Sequence, residues 1–242
     1  MALRPISDYL KQLQIGMTQW EFEEEKTDDH LVDYGTKKMT VDQKLVQAGY
    51  EKMHLRQTFA TTDSTAGITQ ERITRLEEYV PGQIKWLLLA GNRGTGKDHL
   101  ASCIGRRWLE IDPKATILAH NMQTIALYYK ELAFGKNGIG ELSALRQIVR
   151  SDLLILREVG VKVPNDFEMP VICNILDMKY SAELPVIFTT NLDQKADYNK
   201  HLDPRIMERF NQRKFFENDD AEERGDGVWR FMGQSLRGKY AK

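Results

Sequence analysis

Cysteine is scarce in this chain of 242 residues, with only Cys103 and Cys173 present. Each falls in a helical stretch without metal-ligand spacing, which argues against a zinc site and for buried, reduced thiols rather than a disulfide. Long apolar runs are missing too, and nothing approaches the roughly 20 apolar residues that a membrane-spanning helix requires. The start, MALRPISDYLKQL, lacks the apolar run of a secretory signal, so the expected location is the cytoplasm. Net charge is nearly absent, at −1. A protein that coats nucleic acid by charge alone is thereby disfavoured, and any contact with DNA must come from a local site. Internal repeats and low-complexity segments are lacking as well.

What is present changes character near residue 83. A small helical region is expected over residues 1–82. Ile6, Leu10 and Leu13 share one helical face, and Thr40 with Gln43 forms a capping-box signature that opens a second helix through Val41, Leu45 and Met53. A third helix fits residues 69–80, with Ile73, Leu76 and Val80 on one side, and stops at Pro81 and Gly82. Between the first two, WEFEEEKTDDHLVD is acidic and poorly periodic, the composition of a partner-facing linker or of a solvated loop. Beyond residue 83, short apolar runs at 86–90, 116–119, 153–156 and 186–190 alternate with helical segments. Such alternation predicts βαβ crossovers and an α/β domain over 83–242, with a parallel sheet flanked by helices.

The residues Gly91, Asn92, Arg93, Gly94, Thr95, Gly96 and Lys97 match the phosphate-binding P-loop pattern through its lysine, after a buried strand and before a helix. The chemistry follows from the backbone. Glycines let successive N–H groups point inward, the helix N-terminus adds partial positive charge, and Lys97 can reach the β and γ phosphates. Asp98 and His99, which open the helix, complete the candidate nucleotide site. A P-loop places Ser or Thr after its lysine, because that hydroxyl coordinates the magnesium bridging the phosphates. Here the position is Asp98. The second acidic element, a buried strand ending in Asp-Glu, is matched by 152–158 in its apolar run and in Glu158, but Arg157 stands where the aspartate belongs.

Both departures concern one place, so the expectation is that Asp98 and Arg157 pair and fill the metal's position. An arginine there repels a divalent cation while its own charge holds phosphate oxygens. ATP or ADP is then bound, magnesium is doubtful, no metal is assigned, and ATPase activity is weak or lost. The competing arrangement turns Arg157 away and leaves a metal on Asp98.

Taken together, GNRGTGKDHLAS, SDLLILREVG, FTTNL and DPRIMERF resemble the DnaC and IstB-like branch of the AAA+ ATPases, with the likeness extending over most of residues 50–242. The resemblance implies an AAA+ P-loop domain and assigns further residues. Glu158 would polarise the attacking water and Asn191 would act as the sensor for that water or the γ-phosphate. Arg205 and Arg209, one helical turn apart behind Asp203 and Pro204, would reach a neighbouring subunit's nucleotide, one of them as an arginine finger. Tyr128, Tyr129, Lys130, Phe134 and Lys136 would line a pore for single-stranded DNA, rings on bases and lysines on phosphates, although core packing could claim one tyrosine and the phenylalanine.

By the same resemblance, the helical N-terminal region docks on a hexameric DnaB-type helicase. The implied function is that of an ATP-binding replicative helicase loader in the initiation of DNA replication, assembling as an open spiral on the helicase and single-stranded DNA. Two alternatives stand beside it: a hydrolysis-deficient regulator or inhibitor of loading, of phage or mobile-element type, and an IstB-like transposition helper.

Overall fold

The computed structural model describes residues 39–62, 68–192, 198, 202–212, 227–231 and 233. The helix expected from Ile6, Leu10 and Leu13 and the acidic stretch after it lie outside the described residues. Five strands form one sheet: β1 (Trp86–Gly91), β2 (Ile117–Asn121), β3 (Leu153–Val159), β4 (Val186–Thr190) and β5 (Gly227–Phe231). Their spatial order is β2-β3-β4-β1-β5 and every pairing is parallel. The expected parallel α/β sheet is thus present. Its four anticipated strands fall where the apolar runs stand, and β5 is an addition.

Near-continuous apolar runs suit strands buried on both faces, and here successive residues feed opposite cores. Trp86, Leu88, Leu154, Leu156 and Phe188 point to one face, packed under α4 (Met122–Phe134), α5 (Glu141–Val149) and α6 (Glu168–Ser181). Leu87, Leu89, Leu153, Ile155 and Ile187 point to the other, where α1 (Val41–Gln47), α2 (Gln70–Glu78) and α3 (Lys97–Ile111) lie. Fully burying each of these large side chains contributes on the order of 1.5–3 kcal/mol before chain entropy is counted. The last described helix, α7 (Pro204–Gln212), follows β4. Among the described residues no helix is long and apolar enough to cross a membrane.

Residues 39–82 carry the expected capping box, with the Thr40 and Gln43 side chains exchanging hydrogen bonds with each other's backbone. Their helix is shorter than its apolar spacing suggested. It ends at Gln47, because Gly49 turns the chain with a φ of 94°, and Met53 lies in a 3₁₀ turn, Lys52–His54, instead of extending it. Leu45, Tyr50, Phe59, Ile73 and Leu76 all enter the same core as α3, so the described part of this segment covers one face of the sheet.

Edge strand β5 is held from two sides. The Arg72 guanidinium of α2 lies 5.5 Å from the Trp229 ring centroid and 5.2 Å from that of Phe231, and it donates to the Arg230 carbonyl at 3.1 Å. On the inner side, Gly91 has φ of 124° and a Cβ there would stand 2.4 Å from the Phe231 carbonyl oxygen, so only glycine fits between β1 and β5.

Tyr50 packs its hydroxyl against α3, where a Cβ on Gly105 would meet it at 1.9 Å, and that hydroxyl has no hydrogen-bond partner among the described residues. Gly105→Ala is therefore expected to lower stability by about 1–3 kcal/mol in urea denaturation. Tyr50→Phe should raise it by up to about 1 kcal/mol, by removing an unsatisfied buried group.

Candidate nucleotide site

The site forms where β1, β3 and β4 end, the usual place for ligands in an open α/β sheet. Gly94 and Gly96 adopt φ of 76° and 89°, and Gly96 caps the fifteen-residue α3 in the left-handed conformation. Glycine permits these angles at no steric cost, and the resulting turn brings backbone N–H groups together ahead of the helix N-terminus. The Thr95 hydroxyl donates to the Asn92 carbonyl at 2.9 Å, and the Asn92 N–H donates to the Phe231 carbonyl at 3.0 Å, so β5 anchors the loop. Lys97 is buried, and its ammonium donates to the carbonyls of Gly91 at 2.9 Å and Asn92 at 2.6 Å.

A cleft of about 420 Å³ opens here, lined by Gly94, Thr95, Gly96, Lys97, Asp98, His99, Glu158 and Asn191. The loop, the strand-end glutamate and the expected sensor thus meet in one cavity, of a size suited to a small ligand. The rest of its wall comes from the N-terminal segment: Met53, His54, Gln57, Thr61, Thr62 and Ile68. The His54 Nδ1 lies 2.9 Å from the Gln57 Oε1, and the His99 Nε2 lies 3.0 Å from the Thr62 hydroxyl. Burial, aided by repulsion from His54, lowers the His99 pKa.

Asp98 and Arg157 do not pair, which corrects the expectation from sequence. The Asp98 carboxylate instead accepts a hydrogen bond from the buried Thr189 hydroxyl of β4. The same hydroxyl oxygen accepts the Glu158 N–H at 3.1 Å. Glu158 has φ of 56° and sits where the β3–β4 register shifts between Leu156 and Val159. Such a bulge re-aims side chains at a strand end, and the Thr189 bond offsets part of the backbone strain. Arg157 points towards β2, donating to the carbonyls of Gly49 at 3.2 Å and Ala119 at 3.5 Å. Burial first, and then the charge of Arg157, push the nearby His120 down to about 4.

The remaining candidates separate. Tyr129 is core, in edge-on contact with Phe134 at a centroid distance of 6.4 Å. Tyr128 is half-buried and stacks on His120 at 5.1 Å, whereas Lys130, Phe134 and Lys136 are exposed. Arg205 folds back on Asp203 at 2.9 Å, and Arg209 reaches Asp177 at 2.9 Å with its guanidinium over Tyr180. Neither arginine lines the cleft of its own chain. A larger groove of about 1070 Å³ runs beside β2, lined among others by Lys44, Lys114, Tyr128, Arg146 and Arg150. It contains no P-loop residue.

Sequence reasoning missed Thr189 and the cleft wall. The Thr-Thr-Asn ending of β4 carried a signal for the first, a hydroxyl beside a strand-end amide. Apart from Met53, which the apolar spacing assigned to a helix, the wall residues lie in a stretch with no signal of their own. Thr189→Val is expected to lower stability by about 1–3 kcal/mol, since the Glu158 N–H and the Asp98 carboxylate both lose their partner, while Thr189→Ser should stay near wild type in urea denaturation.

No protein-family model matches the chain. The replicative helicase loader DnaC of Escherichia coli (strain K12) is 24% identical over 193 residues, which cover 78% of this chain and 77% of that protein. A crystal structure of the DnaC helicase loader superposes with a TM-score of 0.57 at 17% identity, covering 76% of this chain and all of that one. AMPPCP-bound DnaA from Aquifex aeolicus gives a TM-score of 0.54 at 15% identity over 73% of this chain and 50% of its own. The fold is therefore that of an AAA+ P-loop domain, and the sequence resembles the DnaC-type replicative helicase loaders over 78% of its length.

Proposed function

We propose that this chain is a nucleotide-binding helicase loader in DNA replication, engaging a hexameric DnaB-type helicase and single-stranded DNA, with weak or absent ATP hydrolysis. The observation that carries the reading is the convergence of Lys97, Glu158 and Asn191 on one cleft behind a P-loop of the expected conformation. The resemblance to DnaC supports the helicase as partner, and the likeness in fold to a nucleotide-bound DnaA supports ATP or ADP as ligand. Triphosphate binding would draw Lys97 off its two carbonyls onto β and γ oxygens, with the N–H groups of the loop and of α3 around them. Asn191 would hold the γ-phosphate or the attacking water, and Glu158 would accept that water's proton.

A magnesium ion fits the residues present through Asp98. One carboxylate oxygen accepts the Thr189 hydroxyl, and among the described residues none donates to the other. Magnesium commonly takes one or two carboxylates with phosphate oxygens and water, and when bound it neutralises phosphate charge. Position 157, at the end of β3, offers no carboxylate, so Asp98 would hold the ion from the P-loop side without a partner acid at that position. That asymmetry supports slow turnover. It also supports the second reading, a regulator that engages the helicase and does not release it.

For DNA, exposed Lys130, Phe134 and Lys136 on and just after α4, together with the cationic groove beside β2, supply phosphate-neutralising charge next to aromatic rings. Arg205 and Arg209 keep their role as candidate fingers for a neighbour in an open spiral, since each lies outside its own chain's cleft.

Co-elution with a purified DnaB-type helicase, helicase loading on single-stranded DNA, and phosphate release are the tests. The expected result is an ATP-dependent complex that Lys97→Ala abolishes, helicase delivered onto DNA, and phosphate release close to that of the Lys97→Ala variant. Failure to bind the helicase would refute the loader reading. Capture without delivery would establish the regulator, and rapid release would mark an ordinary hydrolysing loader.

A further inference from the structure

We infer that Arg157 is a positioning residue that fastens the N-terminal wall of the nucleotide cleft to the sheet. The inference rests on the nucleotide-binding reading of that cleft. It gives the arginine a task other than holding phosphate or replacing a metal ion.

The geometry is that of a seam closed by one guanidinium. Residues 48–50 run along the outer edge of β2, where the Ala119 N–H donates to the Ala48 carbonyl at 2.6 Å. The approach is so close that a Cβ on Gly49 would stand 2.5 Å from the Ala119 carbonyl oxygen. Arg157 crosses this seam from β3, and its Nη2 donates to a carbonyl on either side, Gly49 at 3.2 Å and Ala119 at 3.5 Å. Beyond the seam, Tyr50 is buried against α3, and Arg106 of α3 bonds the Leu55 carbonyl and Asp42. The stretch between and just beyond these two anchors contains His54, Gln57, Thr61 and Thr62, which line the cleft together with the P-loop.

The seam asks for a donor with two N–H groups to give. A guanidinium carries several N–H donors and no acceptor, and one of its terminal nitrogens serves both carbonyl oxygens here. A lysine ammonium also has donors enough, but on a flexible stem that loses more freedom for each bond formed. An aspartate would set a carboxylate against two carbonyl oxygens with no donor between them. The substitution at the end of β3 and the docking of residues 48–50 are therefore one structural fact. It follows that Arg157→Asp, which restores the metal-site sequence pattern, opens the wall instead of restoring hydrolysis.

The test compares two probes by calorimetry, a fluorescent ATP analogue that needs both walls and inorganic tripolyphosphate that needs only the P-loop. Amide exchange over residues 48–62 is followed in parallel. For Arg157→Ala and Arg157→Asp the inference expects analogue affinity to fall at least about tenfold, tripolyphosphate affinity to stay within about twofold, and exchange to accelerate, with Arg157→Lys intermediate. Retained tripolyphosphate binding shows that the variant is folded, and should either variant fail to fold, Arg157→Lys decides. Unchanged analogue affinity and exchange, or faster phosphate release in Arg157→Asp, would overturn the inference. If the unmodified protein binds neither probe, the nucleotide reading fails, while the exchange measurement still decides whether Arg157 holds the segment.

Discussion

A single buried hydroxyl, that of Thr189, ties together the parts that face the nucleotide cleft. It donates to Asp98 at the start of α3 and accepts the N–H of Glu158 at the end of β3. In water neither bond would contribute much, but at a site 1% exposed an unmade partner leaves a polar group stranded. The carboxylate of Asp98 and the backbone of Glu158 consequently have a common anchor before any ligand arrives. Preorganisation of this kind is what a phosphate site needs, since groups already in place do not have to be ordered on binding.

Two departures from the P-loop pattern, which look like one compensating pair in the sequence, have separate explanations in space. Asp98 remains in the cleft, held by a neutral donor. Arg157 points away from it, donating to two carbonyl oxygens at the seam between β2 and residues 48–50. The nucleotide end of the fold is thus built from three sources: the P-loop, the strand ends, and an N-terminal wall secured by Arg157 and Arg106.

Much of this was legible in the chain alone. The apolar runs at 86–90, 153–156 and 186–190 announced strands buried on both faces, and the glycine pattern from Gly91 to Gly96 announced the loop, because each is a local pattern with a local physical cause. What depends on distant partners was not legible. Strand β5 is five residues with Arg230 next to its last, and its place is set by Arg72 and Gly91. The length of α1 was misjudged because apolar spacing continues past Gly49, where the backbone turns. Tyr129 read as a base-stacking residue as easily as a core one, and only the packing of Phe134 and Phe167 around it decides. Arg157 could be placed on its strand but not aimed.

The central claim is that Asp98, and not the end of β3, governs the metal dependence of nucleotide binding. The most direct measurement is the affinity for a fluorescent ATP analogue with and without magnesium, in the unmodified protein and in Asp98→Asn. The account predicts that magnesium tightens binding about tenfold or more, roughly 1.4 kcal/mol, and that Asp98→Asn loses this gain while binding the metal-free nucleotide at least as well. Binding by the unmodified protein that is indifferent to magnesium would contradict it.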